Sequence, residues 1–534
     1  DLGVAFVRGL QGDEDNMIAA ACAKHFAVHS GPEAERHSFG VSPSKRDLYE
    51  TYLPAFERLV REGRVETVMG AYNRLYGESS CANPFLLKTL LRDTWGFQGH
   101  VVGDWEAVKD IFGGHKLVKS LPEALALAIR NGLDFETGCD PRDLREGVER
   151  GLVSEKEVDA ALVRLLLTRL KLGIIGKDPD CPYNDTDPNL LCCEHHRALA
   201  RKMARESMVL VKNDGVLPLD PKAGPYGVAG AGASDIYSLM GNYYGTSDRT
   251  VSYLDGIAGA IDAGTSLYFR PLCVYGGDVA RGNLPDTASV IVAVIGMTSA
   301  YEGEEGTTVS AEFNGDRNTL ELPKVHVSVL ELLQKERKKG TKIVTVVTAG
   351  SPVALNRIEE LSDAVVLAWY AGQEGGNALG DLLFGKVDFT GRLPVTFPTS
   401  EGVLPSFRDY SMTGRTYRYQ TKGVAHPFGY GLSYARFAFA NLETKAKDEG
   451  EAVSVEVKNV GARDGTAVVQ LYVSTPNAGR GAPIKSLVGF RRVPLKAGET
   501  RREIFDVDAR QLMEYGEDGV ARRVPGGCTY SVCL

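Results

Sequence analysis

The chain has 534 residues, 43% hydrophobic and 24% charged, which excludes a disordered chain and a small disulfide-held scaffold. Asp plus Glu is 69 against 61 Lys plus Arg, a net charge of −8 that argues against a nucleic-acid partner. No apolar run reaches about 18 residues, so no helix is expected to span a membrane. The nine cysteines are an odd number, so at least one thiol is free or pairs elsewhere, and no pair has metal-ligand spacing.

Asp1–Gly12 has helical periodicity without a charged-then-apolar leader pattern. It reads as the middle of an element, and an N-terminal piece is expected to precede it. Residues 13–175 then alternate short apolar runs with amphipathic helices. Met17–Val28 ends strand-like, Ser44–Glu62 is helical, and Val65–Tyr72 is a strand. Helix Pro84–Trp95, strand Gly99–Asp104, helix Ser120–Asn131, strand Leu133–Glu136 and helix Ser154–Leu172, capped by Ser154, follow. This alternation predicts parallel βα units. Four strand ends carry polar residues: Lys24 and His25; Tyr72 and Asn73; Asp104; Asp134 and Glu136. Four such units are half of a (β/α)₈ barrel, whose chemistry sits at the C-terminal ends of its strands.

Residues 176–196 read as a linker containing the glycosylation triplet Asn184-Asp185-Thr186. A second α/β region covers 197–398, with strands Met208–Val211, Gly227–Ala229, Ser289–Ile295, Lys342–Val347 and Ala364–Ala368, and helices Leu320–Lys338 and Gly376–Leu383. Residues 399–434, rich in Gly, Pro and aromatics, read as a further linker. Residues 435–534 show period-two strands at Val453–Val460, Ala467–Ser474, Ser486–Val493, Arg501–Val507 and Thr529–Leu534, the pattern of a small β-sandwich. Asp214-Gly215 and Gly372–Gly376 read as turns.

The sharpest motif is His100-Val101-Val102-Gly103-Asp104-Trp105. It places a carboxylate after a buried strand, beside an indole that can stack on a sugar ring; the plainer alternative is a helix-capping Asp. Lys24 and His25 could bind sugar hydroxyls or brace the fold. Glu33 either accepts from a hydroxyl or lies on a solvated loop. In Tyr301-Glu302-Gly303-Glu304-Glu305, three carboxylates in four residues repel one another. One can hold its proton near neutrality, as a general acid needs, although a solvated acidic loop is the commoner outcome. Asp316-Arg317 could tie that loop down. Gly230-Ala231-Gly232-Ala233 lacks the third glycine and the acidic partner of a dinucleotide loop, so an oxidoreductase rests on little.

Together these segments resemble glycoside hydrolase family 3. The similarity is carried, in chain order, by AKHFAVHSGPEAERHSF, VMGAYNRLYGE, GHVVGDWEAV, MVLVKNDGVLPL, EGEE with NGDRNTLELP, AGQEGGNALGDLLFGKVDFTGRLPVTFP and HPFGYGLSY. The resemblance implies a (β/α)₈ barrel, an α/β sandwich and a fibronectin-III-like domain, here divided as 1–175, 197–398 and 435–534. It implies a retaining exo-acting β-glycosidase with Asp104 as nucleophile and Glu304 as acid/base, Glu302 and Glu305 being its near neighbours. Lys24 and His25 match sugar-hydroxyl binders, and Tyr72 the aromatic beside the nucleophile. Glu33 and Arg36 match a variant of the xylosidase-like branch. Gly103 stands where relatives usually carry Ser. Trp105 after the nucleophile resembles β-glucosidases, while the Ser30-Gly31-Pro32-Glu33 loop leans toward β-xylosidases; β-glucosidase is the favoured expectation. The substrate is an oligosaccharide or an aryl or alkyl β-glycoside, with no metal or organic cofactor. Only the last four barrel units are present, so a homodimer or a chain supplying the other half is expected, and a non-catalytic sugar-binding protein is the competing class.

Overall fold

A computed structural model describes residues 1–12, 17–176, 181, 183–274, 279, 288–302, 317–475, 481–523 and 527–534. They divide into two compact units. The first comprises 1–187 with 406–411 and 514–522, and the second 188–405, 412–513 and 523–534.

In the first unit, three apolar runs become strands β1 (Cys22–Phe26), β2 (Thr67–Gly70) and β3 (His100–Gly103). They pair parallel in the order β1-β2-β3, with Phe26 opposite Gly70 and Gly70 opposite Gly103. The sheet packs into a core containing Phe26, Val68, Val101, Leu86, Leu91 and Val108. Ser154 caps helix Glu155–Lys171 with a complete capping box. The single helix expected over Ser44–Glu62 is interrupted: a π-wound turn, Leu48–Tyr52, gives way to a separate helix Pro54–Arg61. Pro54 has no N–H to continue the preceding ladder, so a new helix starts there. Helix Pro141–Glu149 was not anticipated, although Asp140 caps it and Pro141 occupies its first turn.

Of the four strands expected for half a barrel, three pair among the described residues. They give an open sheet, and Leu133–Glu136 adds a single bridge, Val102 to Phe135, instead of a fourth strand. The reason lies in what the Asp134 side chain meets. The Asp134 carboxylate takes the Val101 N–H at 2.8 Å, a bond that a strand backbone would supply, and is itself clamped by Arg92 and Arg164, each at 2.7 Å.

In the second unit, β4 (Val209–Asn213), β5 (Tyr226–Ala229), β6 (Leu267–Arg270), β7 (Val290–Gly296), β8 (Lys342–Thr348) and β9 (Ala364–Leu367) form one sheet. Its order is β4-β9-β8-β7-β5-β6, parallel except for β4. Alternate residues serve two cores. Val292, Val294, Val344 and Val346 pack with Ala204, Ile257 and Leu379, whereas Ile291, Ile295, Ile343 and Val347 pack with Val329, Leu330 and Ile358. Helices therefore cover both faces, as near-continuous apolar parallel strands require. The stretch Gly372–Gly376 is only partly a turn: Gly375 and Gly376 open helix Gly375–Leu383. A Cβ on Gly376 would lie 1.9 Å from the Ser252 carbonyl, so glycine serves close helix packing. Gly230, at φ 93°, lies against the Val294 carbonyl and likewise answers to packing.

The C-terminal residues form two three-stranded antiparallel sheets. One is β10 (Phe437–Lys447), β11 (Gly450–Asn459) and β14 (Thr500–Asp508). The other is β13 (Ser486–Leu495), β12 (Gly465–Ser474) and β15 (Thr529–Cys533). They share a core of Val453, Val455, Val469, Leu471, Val493 and Phe505. β10 was not expected, because most of this edge strand faces solvent and shows little alternation.

Candidate active site

Adjacent parallel strands bring three groups of polar residues to one end of the sheet. β1 ends in Lys24 and His25, the chain after β2 carries Tyr72, and β3 runs into Asp104. His25 Nε2 lies 3.1 Å from Asp104 Oδ2, and the Trp105 amide donates to Asp104 Oδ1 at 2.7 Å. Asp104 does not cap the following helix: Ala107–Phe112 starts after Glu106, at φ 60°. Burial works against ionisation of Asp104, but the His25 hydrogen bond, the Trp105 amide and the positive charge of Lys24 together hold it below its ordinary value.

Tyr72 is buried and its hydroxyl donates to the Trp105 carbonyl at 2.9 Å, clamping the turn that presents Asp104. Burial raises the Tyr72 phenol well above its usual range, with the Asp104 charge adding to the effect, so it stays a neutral donor. The Arg36 guanidinium sits 5.0 Å from the Tyr72 ring centre and pairs with Glu33 at 3.4 Å. Trp105 is 63% exposed, leaving its indole open to a planar or sugar-ring partner. Burial, reinforced by His25 and Arg36, lowers His29 to about 4.

The segment read as a linker supplies part of this site. The Tyr410 hydroxyl donates to the Gly31 carbonyl at 2.6 Å and accepts from the Ser30 amide at 2.9 Å. Arg408 pairs with Glu35. Thus 406–411 anchor the loop that carries Glu33 and Arg36. Its clustered Phe407, Arg408 and Tyr410 were the available signal, since a solvated linker has little use for them.

Of the acidic cluster, Glu302 is described, and it is engaged locally. Its Oε1 accepts from the Gly350 amide and the Ser351 hydroxyl, both at 3.1 Å, and Arg317 reaches the same hydroxyl at 2.5 Å. Glu304, Glu305 and Asp316 lie outside the described residues. All nine cysteines are free thiols. Among the described residues no group of three or more His, Cys, Asp or Glu could hold a metal, and no helix is long and apolar enough to cross a membrane.

A carboxylate at the ends of parallel strands, with a histidine 3.1 Å away and an exposed indole on the next residue, is a set of groups that a glycoside hydrolase could use. Residues 1–168 match the glycosyl hydrolase family 3 N-terminal domain, 208–434 its C-terminal domain, and 467–533 a fibronectin type III-like domain. The chain is 32% identical over 681 aligned positions to a xylan 1,4-β-xylosidase of Xylanibacter ruminicola, covering 98% of this chain and 78% of that protein. It is 30% identical to a periplasmic β-glucosidase of Salmonella typhimurium, covering 98% and 73%. Among solved structures it is similar to the exo-β-xylosidase XlnD bound to a xylobiose aziridine probe, with TM-score 0.88, 25% identity and coverage of 99% and 73%. It is also similar to the β-glucosidase EmGH1 of Erythrobacter marinus, with TM-score 0.86, 29% identity and coverage of 99% and 75%. The chain belongs to glycosyl hydrolase family 3.

Proposed function

We propose that this chain is a retaining, exo-acting β-glycosidase that removes terminal non-reducing β-D-glucosyl residues from oligosaccharides. Asp104 attacks the anomeric carbon as the leaving oxygen departs, forming a covalent glycosyl-enzyme. Glu304 protonates that oxygen, then takes a proton from the water that releases the sugar. Lys24 and His25 bind sugar hydroxyls and hold Asp104 ionised, and Trp105 stacks on the sugar. The sheet β1-β2-β3 is read as part of a (β/α)₈ barrel, whose strand ends carry the chemistry.

The observation that supports this most is the 3.1 Å contact between His25 and Asp104, which keeps a half-buried carboxylate charged and ready to attack. Trp105 beside it favours glucose. A second reading, β-D-xylosidase, is favoured by the Glu33–Arg36 pair and by relatives named as xylosidases. The test is kcat/KM for nitrophenyl β-D-glucoside and β-D-xyloside. A higher value for the xyloside would replace glucose with xylose, and turnover of neither would end the glycosidase reading.

A further inference from the structure

Gly70 and Gly103 are register partners at the ends of β2 and β3, directly under the candidate nucleophile. Each lacks a side chain, and each vacancy is filled from elsewhere in the chain. A Cβ on Gly70 would lie 2.8 Å from Cys81 Sγ, and a Cβ on Gly103 would lie 2.7 Å from Glu136 Oε2. The chain around Glu136 also grips the turn carrying Asp104. The Phe135 carbonyl accepts from the Gly103 amide at 2.9 Å, and the Thr137 carbonyl from the Glu106 amide at 2.8 Å. The Thr137 hydroxyl donates to the Gly103 carbonyl at 3.4 Å.

We propose that Glu136 is a further positioning residue of this active site: an uncharged carboxylic acid that occupies the space beside Gly103 and fixes the turn presenting Asp104. This rests on Asp104 being the nucleophile. Three observations carry it. Glu136 Oε2 is buried with no hydrogen-bond partner among the described residues, a setting in which a negative charge is costly. Oε1 accepts from the Cys139 thiol at 3.4 Å. The position before Asp104 is glycine, the one residue that leaves Glu136 its place. The groups facing the Glu136 carboxyl are Asp104, Glu106, Lys109, Cys139 and the buried Cys81 thiol. Burial pushes the carboxyl up to about 8 and the charges of Glu106 and Asp104 add to this, while the Cys139 thiol and Lys109 oppose it. When Glu136 ionises, it no longer suits its buried pocket. The side chain then leaves, and the turn carrying Asp104 loosens.

The experiment uses 2,4-dinitrophenyl β-D-glucoside and β-D-xyloside, whose leaving groups need no proton, so that Glu304 does not shape the rate of the first step. In the full chain, kcat/KM for whichever is turned over should fall about tenfold between pH 7 and 9. Glu136→Gln should match the unsubstituted chain at pH 6 but stay within about twofold across that range. A second arm needs no Gln variant. Gly103→Ala displaces the carboxyl and should lower kcat/KM about tenfold, yet add little to Glu136→Ala, a non-additive pair. Melting curves give a third readout. The Glu136 carboxyl has a folded value above its ordinary 4.5, so its stabilising effect is full below about 4.5 and is lost as pH rises through about 8. The melting midpoint of the unsubstituted chain should therefore fall relative to Glu136→Gln over that window. An unchanged alkaline limb in Glu136→Gln, or equal harm from Gly103→Ala with and without Glu136, overturns the proposal. Asp104→Asn is assayed alongside. If it is inactive while Glu136→Gln keeps the alkaline limb, only the role of Glu136 fails; if it stays active, the nucleophile assignment fails and the role of Glu136 with it.

Discussion

His25 Nε2 and Asp104 Oδ2 stand 3.1 Å apart, and this contact decides the charge of the candidate nucleophile. Burial alone would raise the Asp104 carboxyl; the histidine hydrogen bond leads the effects that bring it down. The sign follows directly. Asp104 must be ionised to attack, so activity is lost as pH falls through its lowered folded value. Removing the histidine contact moves that loss upward. His25→Ala should shift the acidic limb of kcat/KM to higher pH by about one unit. A pH profile of the two proteins checks this, and an unmoved acidic limb would mean that His25 does not hold the Asp104 charge.

Asp104→Asn removes the attacking oxygen charge and should lower kcat by roughly 10⁴-fold or more while sugar binding persists. A 2-fluoro sugar that traps the glycosyl-enzyme should label a peptide containing Asp104. Label recovered on any other carboxylate would reassign the nucleophile.

The acidic cluster divides by what its members already do. Glu302 is held by the Gly350 amide and the Ser351 hydroxyl, so it is placed to brace a loop. Glu304→Ala should lose most activity on substrates with poor leaving groups, retain it on activated aryl glycosides, and be rescued by azide. Glu302→Ala should show no azide rescue and a loss of stability of about 1–2 kcal/mol, from two donors left without their acceptor. Azide rescue of Glu302→Ala instead would exchange the two assignments.

What could be read from the sequence follows the range of the interactions. Strands β1 to β3 and most strands of the second unit announce themselves by short apolar runs, and Asp104 by its place after one of them. The break in the expected helix over Ser44–Glu62 was visible as Pro54. The fate of Leu133–Glu136 was not, because it depends on Arg92 and Arg164, distant in sequence, meeting the Asp134 carboxylate. The same holds for Tyr410, whose partners Ser30 and Gly31 lie nearly 400 positions earlier, and for Glu136, whose value lies in the vacancy at Gly103. Contacts of that range leave no periodic trace.

The anchoring of the 30–36 loop has its own consequence. Tyr410→Phe removes the hydroxyl that bridges the Ser30 amide and the Gly31 carbonyl, while its ring keeps its place near Phe39 and Tyr52. The loop carrying Glu33 and Arg36 should loosen, raising KM roughly threefold to tenfold with kcat nearly unchanged. The ratio of glucoside to xyloside turnover should also move. A fall in kcat with KM constant would place the loop's effect in the chemical step instead.

A close helix contact in the second unit yields a stability prediction free of any functional assumption. Helix Tyr253–Ala258 crosses helix Gly375–Leu383 at Gly256, where an added Cβ would lie 1.8 Å from the Gly376 carbonyl oxygen. On the facing helix, a Cβ on Gly380 would lie 2.4 Å from the Gly256 carbonyl. Every clashing atom is backbone, so no side chain can rotate away and the two helices must part. Parting them opens the core formed by Tyr253, Ile257, Leu379 and Leu382. Gly256→Ala should therefore destabilise the unit by about 3 kcal/mol, despite the better helix propensity of alanine. Gly259→Ala is the matched control: its backbone is right-handed helical, and its nearest neighbour to a new Cβ is 3.3 Å away. That change should stay within about 1 kcal/mol of the unsubstituted chain. Urea unfolding of both variants measures the difference, and equal stabilities for Gly256→Ala and Gly259→Ala would show that the helices are not packed backbone to backbone at this crossing.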